Sequence, residues 1–355
     1  MTNNETDSLH NYNYLVCVRC FTFNHTKYIT EALNGFCMQE TTFPYICTIV
    51  DDASTDGEQD VIRNYLQKNF ALEDKSTVRD EETDDYKLLF AQHKTNKNCF
   101  FAVLYLKYNH YSNPAIKSRK FKYISEWHDN AKYSALCEGD DYWTDPMKLQ
   151  KQVDFMETHP DYGMIYTGHR RYIQKESRFV EGHNESQDFN DLLFANKIAT
   201  HTVMLRMSLW NDYYKEIEPI AKQRRWKMGD TPLWLYIMAH SKTHYLPDIT
   251  GVYRKLDNSM CHFTSFTKGR DFWISHYDMS LFFAKRYNVP VRIQKKIALD
   301  EVEYLLGMAQ SYNANLSFPF YKHLKENGVF TWQRYISCKM RSSRLGRKLY
   351  SALKS

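Results

Sequence analysis

The feature that most constrains this chain is an alternation of apolar runs and helix-spaced segments, in which two of the runs stop dead at paired acids. Tyr14–Phe21 (YLVCVRCF), Tyr45–Val50 (YICTIV), Tyr86–Gln92 and Tyr133–Cys137 read as strands. Between them, Tyr28–Gln39 places Ile29, Leu33 and Phe36 on one helical face. A second helix runs through Val61, Ile62, Tyr65 and Leu66, and Ile116–Lys132 has the spacing of a third. Strand and helix in strict turn predict an α/β fold, a mainly parallel sheet with helices on both faces. In such sheets ligands bind beyond the carboxyl ends of the strands. Both acid pairs, Asp51-Asp52 and Asp140-Asp141, stand at such ends.

Adjacent carboxylates repel and raise one another's pKa, so the Asp140-Asp141 end needs a cation or open water. A hard divalent ion, Mg²⁺ or Mn²⁺, takes oxygen ligands and shares them with substrate phosphates. Plain loop chemistry is the alternative. It accounts for Asp145, which with Pro146 fits a helix N-cap, but Asp140 and Asp141 lie too far upstream to cap. In VDDASTDG, Val50–Gly57, a carboxylate at Asp52 can accept a nucleobase imide N–H or bond ribose, whereas Asp56 and Thr55 suit turn or cap roles. Phe21–His25 (FTFNH) closes the first run. There Thr22 suits a polar turn, and Phe23 can stack on a base or simply pack.

Composition narrows the class. The chain has 355 residues, 25% of them charged, and a modest net charge of +5 that is unevenly distributed; no nucleic-acid partner is expected. The first residues, MTNNETDSLHNYNY, lack an apolar signal core, so a cytoplasmic protein is expected. Eight cysteines include one CxxC, Cys17 and Cys20, whose strand spacing points the two thiols to opposite faces; reduced thiols are expected. His240 and His244 lack the glutamate of a zinc-protease helix. Leu72–Tyr86 is strongly acidic and reads as a solvated connector. Helical spacing over Phe272–Tyr287 and Val289–Ser311 suggests two domains, 1–255 and 256–355, the second ending in a tail with no acid after Glu326.

Taken in order, these motifs resemble the family-2 glycosyltransferases, inverting enzymes of the GT-A fold. The family's P-T-Y-N is matched by Phe21-Thr22-Phe23-Asn24, without the proline and tyrosine. Its helix ending in Gln-Thr/Ser is matched by ALNGFCMQET, and its D-D-x-S-x-D by Asp51, Asp52, Ser54 and Asp56. The metal-binding D-x-D-type motif is matched by GDDYW, Gly139–Trp143. The Gly-Asp that opens a helix and supplies the general base is matched by Gly229-Asp230 in MGDTPLWL, where Pro232 suits a first helical turn. The matches span Tyr14 to Arg254.

The resemblance implies a GT-A-type, Rossmann-like sheet and a metal-dependent inverting transfer of sugar from a nucleotide-sugar, UDP-sugar by default. The acceptor would be a hydroxyl of a glycan or lipid-linked molecule in cell-surface polysaccharide synthesis. It implies Asp141 as metal ligand, Asp140, Asp52, Thr22 and Phe23 as donor contacts, and Asp230 as base. A basic diphosphate contact is expected somewhere in Lys94–Lys132. His201 reads as a satisfied structural histidine, with lining of the acceptor site as the alternative, and Arg254 as a surface residue, with approach to the diphosphate as the alternative. The basic tail, through Lys354, suits peripheral contact with the inner face of the cell membrane or packing on its own domain. Two other readings stand beside this one: a nucleotide- or glycan-binding protein without turnover, and a sugar-phosphate nucleotidyltransferase. The second is disfavoured because FTFNHTKYI has no glycine for a phosphate loop.

Overall fold

The computed structural model describes residues 13–256, 263 and 265–352. The stretch before residue 13 and Lys354 of the tail lie outside them. Eleven strands form one sheet: β1 Tyr14–Thr22, β2 Tyr45–Asp51, β3 Arg79–Glu82, β4 Tyr86–Gln92, β5 Cys99–Leu106, β6 Ala131–Leu136, β7 Tyr142–Trp143, β8 Tyr162–Ile173, β9 Arg178–Glu181, β10 Met204–Arg206 and β11 Lys242–Lys255. Their order is β3-β4-β5-β2-β1-β6-β10-β8-β11-β7, with β9 on β8. Helices cover both faces. Ile29, Phe36, Ile62, Leu66, Leu149 and Val153 pack on the face carrying Val16, Val18, Cys20 and Ile49. Ile124 and Trp127 pack on the opposite face, with Cys17, Ile46 and Val50. Cys17 and Cys20 thus serve opposite layers, as their spacing requires, and both are free thiols.

The sheet is mixed, which corrects the mainly parallel expectation. Pairs β1–β2, β1–β6, β2–β5 and β8–β11 are parallel. The pairs β3–β4, β4–β5, β6–β10, β8–β10, β8–β9 and β7–β11 are antiparallel. The departure begins at Cys99–Leu106, a strand that the apolar runs named above do not include and that is the parallel neighbour of β2. No helix separates it from β4, so the two join by a short turn, and a short turn permits only antiparallel pairing.

Two other segments differ from expectation. Ile116–Lys132 is not one helix but two short pieces, Arg119–Tyr123 and Ser125–His128, followed directly by β6. Ile124, at the break, is 1% exposed; its burial against the sheet fixes the chain there. Within the acidic connector, Arg79–Glu82 is an edge strand whose charges face solvent, with Asp80 paired to Lys87 and Glu82 to Lys107. A charged edge of this kind discourages further strand addition.

The chain divides into two compact units. The first holds the whole sheet: the described residues up to Ser186, then Ile198–Asp212 and His240–Leu256. The second comprises Gln187–Lys197, Tyr213–Ala239 and the described residues after Leu256. It contains the long helices Phe266–Arg286 and Val291–Ser311, which bury Phe283, Ile297, Val302 and Leu305, followed by three shorter ones ending at Ala352. Ser265 caps the first, its hydroxyl accepting the amide of Lys268, so that helix starts earlier than its apolar spacing suggested.

Candidate functional site

Strand β1 lies between β2 and β6, and its register decides what meets at the sheet's carboxyl edge. Thr22 pairs with Asp51, and the ladder runs one step further as the Asp52 amide donates to the Thr22 carbonyl at 3.0 Å. On the other side the Gly139 amide donates to the Phe21 carbonyl at 3.1 Å. Asp52 and Gly139-Asp140 therefore flank Thr22. Position 139 must be glycine: a Cβ there would stand 2.6 Å from Thr22 Cβ. Of the site residues expected from sequence, Thr22, Phe23, Asp52, Asp140 and Asp141 all belong to this edge of the sheet unit.

Glu58, a residue the motifs did not single out, ties the first two loops together. It starts the helix Glu58–Asn69, where acids are favoured by the helix dipole, and it is fully buried. Its carboxylate accepts from the Thr22 hydroxyl, from the His25 amide at 2.8 Å and from the Ser54 hydroxyl at 2.9 Å. Burial raises its pKa, and these three donors oppose the rise. Asn24 and Ala53 both sit at positive φ, 58° and 61°. Asparagine tolerates that region; alanine is strained there. Phe23 is 41% exposed at the loop tip, a placement suited to stacking on a planar ring rather than to core packing.

Asp52 is buried and fully engaged. Its carboxylate accepts the amides of His110 (2.6 Å) and Tyr111 (3.0 Å), and Lys120 Nζ lies 3.3 Å away. Lys120 is the buried cation of the long basic segment. Desolvation lowers its pKa and the Asp52 charge pulls it back up. Asp52 thus fastens the 109–111 segment beside the strand ends.

Asp141 differs. It is 5% exposed; its Oδ1 accepts the Arg254 amide at 2.7 Å, and its Oδ2 lies 3.3 Å from Nδ1 of His201. That contact is an approach without hydrogen-bond alignment: neither ring nitrogen of His201 has a hydrogen-bond partner among the described residues. Burial, then the charge of Asp140, holds the Asp141 carboxyl well above the usual range. Burial also lowers His201 to about 3, so the ring is neutral and can offer a lone pair. His201 is therefore not the satisfied structural histidine expected. Trp143 lies beneath, buried, its indole N–H donating to the His201 carbonyl at 2.7 Å. Glu138 is pushed up to about 8, by burial first and by Asp141 second.

Arg254 corrects another expectation: it is 5% exposed, not a surface residue. Its side chain donates to the Asp140 carbonyl (2.9 Å), to Gln174 (2.8 Å) and to Glu31 (2.5 Å), with the rings of Tyr28, Tyr142 and Tyr172 around the guanidinium. Arg254, Glu31, Gln174 and the three tyrosines line a cavity of about 600 Å³. Asp145 does not cap its helix, which starts at Lys148; its Oδ1 accepts the Met147 amide in a turn, and its carboxylate pairs with Lys151.

Among the described residues no three metal-ligating side chains converge. Asp141 Oδ2 and His201 Nδ1 nevertheless fit one ion. Two ligands each about 2.1 Å from a metal and at right angles stand about 3 Å apart. Such a pair leaves the remaining positions to Asp140, water and substrate phosphate, the usual division for Mg²⁺.

Asp230 stands in the second unit. Its Oδ1 accepts the Thr231 amide at 2.7 Å, its Oδ2 accepts Asn196 Nδ2 at 3.1 Å, and the helix Thr231–His240 follows. Burial raises its pKa, and those hydrogen bonds oppose the rise.

No family model matches the chain. It is 27% identical over 264 residues to the uncharacterized protein Rv1520 of Mycobacterium tuberculosis, and equally so to the uncharacterized protein Mb1547 of Mycobacterium bovis. Each match takes in 71% of this chain and 61% of the relative, so the chain spans under two thirds of those proteins' length. Among solved structures, S. aureus TarS 1-349 with UDP-GlcNAc aligns at a TM-score of 0.48 and 15% identity, over 84% of this chain and 73% of that one. The mannosyltransferase PcManGT of Pyrobaculum calidifontis, with GDP-Man and Mn²⁺, aligns at 0.49 and 13%, over 96% and 87%.

Proposed function

We propose that this chain transfers a sugar from a nucleoside diphosphate donor, UDP-sugar by default, to a hydroxyl of a glycan or lipid-linked acceptor, with inversion. The observation that carries the reading is Asp141: a buried carboxylate that faces a neutral, unbonded histidine at the same strand edge as Thr22, Phe23 and Asp52. A buried charge without a partner is costly, and a divalent ion that arrives with a diphosphate would remove that cost. Asp141 and His201 would hold Mg²⁺ or Mn²⁺, which when bound stabilises the charge that develops on the departing diphosphate.

The chain's own groups do the rest. Phe23 offers a stacking face to the base, and Asp140 would contact the donor's ribose or help to hold the ion. Asp52, expected as a donor contact, has its carboxylate taken by the His110 and Tyr111 amides and Lys120, so its proposed part is to shape the wall by fastening the 109–111 segment. The cavity beside Asp140 combines tyrosine faces with Glu31 and Gln174, a lining that suits a sugar ring. Asp230 is the proposed base for the acceptor hydroxyl; the family resemblance and its burial-raised carboxyl support that role. The domain division of the sequence reading, 1–255 for donor and acceptor binding and 256–355 as a helical extension, remains part of this proposal.

The test is thermal unfolding against UDP, GDP, CDP and dTDP, each with and without Mn²⁺. Ligand at a hundredfold over Kd adds about 2.7 kcal/mol of stability. A shift that needs one nucleotide together with metal supports the reading, and no shift with any pair removes it. Asp230→Asn is expected to keep that shift and abolish turnover. Undiminished turnover would take Asp230 out of the mechanism.

A further inference from the structure

The last two helices, Trp332–Arg341 and Arg344–Ala352, turn their large apolar residues outward. Trp332 is 65% exposed, Ile336 55%, Leu345 70% and Leu349 55%, and no residue of the final helix is buried. In each helix the pair is spaced four apart, so it forms one stripe. The helices touch where the Ser337 hydroxyl meets that of Tyr350 at 3.3 Å. Counted back from that contact the exposed residues hold matching places, one and five positions earlier in each helix. In two helices folded back on one another, matching places turn to the same side.

Charge accompanies this surface. After Glu326 the chain has no acid, and Lys339, Arg344 and Lys348 are exposed on the same two helices. Arg341 is held by both oxygens of Glu303, at 2.9 and 2.8 Å, which fastens the pair to the helix Val291–Ser311. No described helix is long and apolar enough to cross a membrane. Four outward apolar side chains ringed by uncompensated cations are the requirements of a segment that lies in a bilayer interface. There the apolar face enters the acyl boundary while lysine and arginine reach anionic headgroups. A second protein would need a complementary acidic rim, and this surface supplies no acid of its own to pair with a second copy.

We propose that the helix pair 332–352 docks on an anionic lipid bilayer, with Trp332, Ile336, Leu345 and Leu349 inserted and Lys339 and Lys348 at the headgroups. The inference is independent of the catalytic reading. The full-length chain is sedimented with phosphatidylcholine vesicles, with and without phosphatidylglycerol. Binding is expected only to the anionic vesicles and is expected to weaken as salt shortens the screening length from about 10 Å at 0.1 M to about 3 Å at 1 M. Leu345→Ser with Leu349→Ser, and separately Lys339→Glu with Lys348→Glu, should each weaken partitioning at least tenfold. Their melting curves and nucleotide-induced shifts should match those of the parent. Failure of the parent to bind anionic vesicles overturns the proposal, as does retention by the serine variant. Concentration-dependent dimerisation in ultracentrifugation, abolished by the serine substitutions, would overturn it too and assign the stripe to a second copy of the chain.

Discussion

Two acid pairs end two strands of the same sheet, yet their carboxylates have opposite circumstances. Asp52 is given its partners by the fold: two amides and the buried Lys120. Asp141 receives one amide and otherwise faces a histidine that is neutral and unbonded. The first carboxylate is therefore a fastening, satisfied before any ligand arrives. The second has, among the described residues, no ion pair at its oxygens comparable to that with Lys120, and burial and the charge of Asp140 raise its pKa against the opposing pull of Arg254. A repeated sequence motif thus has two physical meanings, decided by what the rest of the chain brings near it.

The largest effect that separates the two is on binding. Asp141→Asn should weaken metal-dependent nucleotide binding by about a hundredfold or more, in line with the loss of a direct ligand, when titrated calorimetrically with Mn²⁺ present. The ligand-free protein should melt no lower than the parent, because a carboxyl whose ionised form burial disfavours is replaced by a neutral amide. A variant that binds normally would erase the contrast.

Next comes stability. Asp52→Ala strands the buried Lys120 and the buried His110 amide, and breaking a buried pair from one side costs about 3–5 kcal/mol. Urea denaturation should show that loss; a change within experimental error would mean the 109–111 segment does not depend on Asp52. The smallest expected effect is one of pH. Glu138, raised from 4.5 to about 8, holds its proton in the folded state longer than in the unfolded chain. Its contribution is fully present below about pH 4.5 and is lost as pH rises through about 8, so ligand-free stability should fall across that window. Glu138→Gln should flatten the slope in melting curves recorded from pH 5 to 8. A slope of unchanged steepness would assign it to other groups.

The helices and strands that were legible in the sequence were those with one buried face. Tyr14–Phe21 and Tyr45–Val50 fall within a residue or so of β1 and β2, and Ile29, Leu33 and Phe36 face the core as spaced. The strand Cys99–Leu106 was missed because almost all of it is buried on both faces, so it shows no alternation, and no helix sets it apart from β4. At the site, residues carried by short motifs could be found. Glu58 and Lys120 could not, because apart from Ser54, four residues before Glu58, their partners are 33 to 68 residues distant. His201 lies 60 positions from Asp141, joined to it only by the antiparallel entry of β10 beside β6.

That the sheet is completed from three separated stretches of chain bears on how it is made. Strand β8 pairs with β11 through contacts such as Ile165 with His244, 79 residues apart. At about 5–20 residues per second, the ribosome needs roughly 4–16 seconds between emitting the two. Through that interval the edge of β8 destined for β11 has no partner from its own chain, which is when a nascent polypeptide most needs a chaperone. Slowing translation between residues 173 and 242 should therefore lower the soluble yield more than an equal delay placed after residue 256.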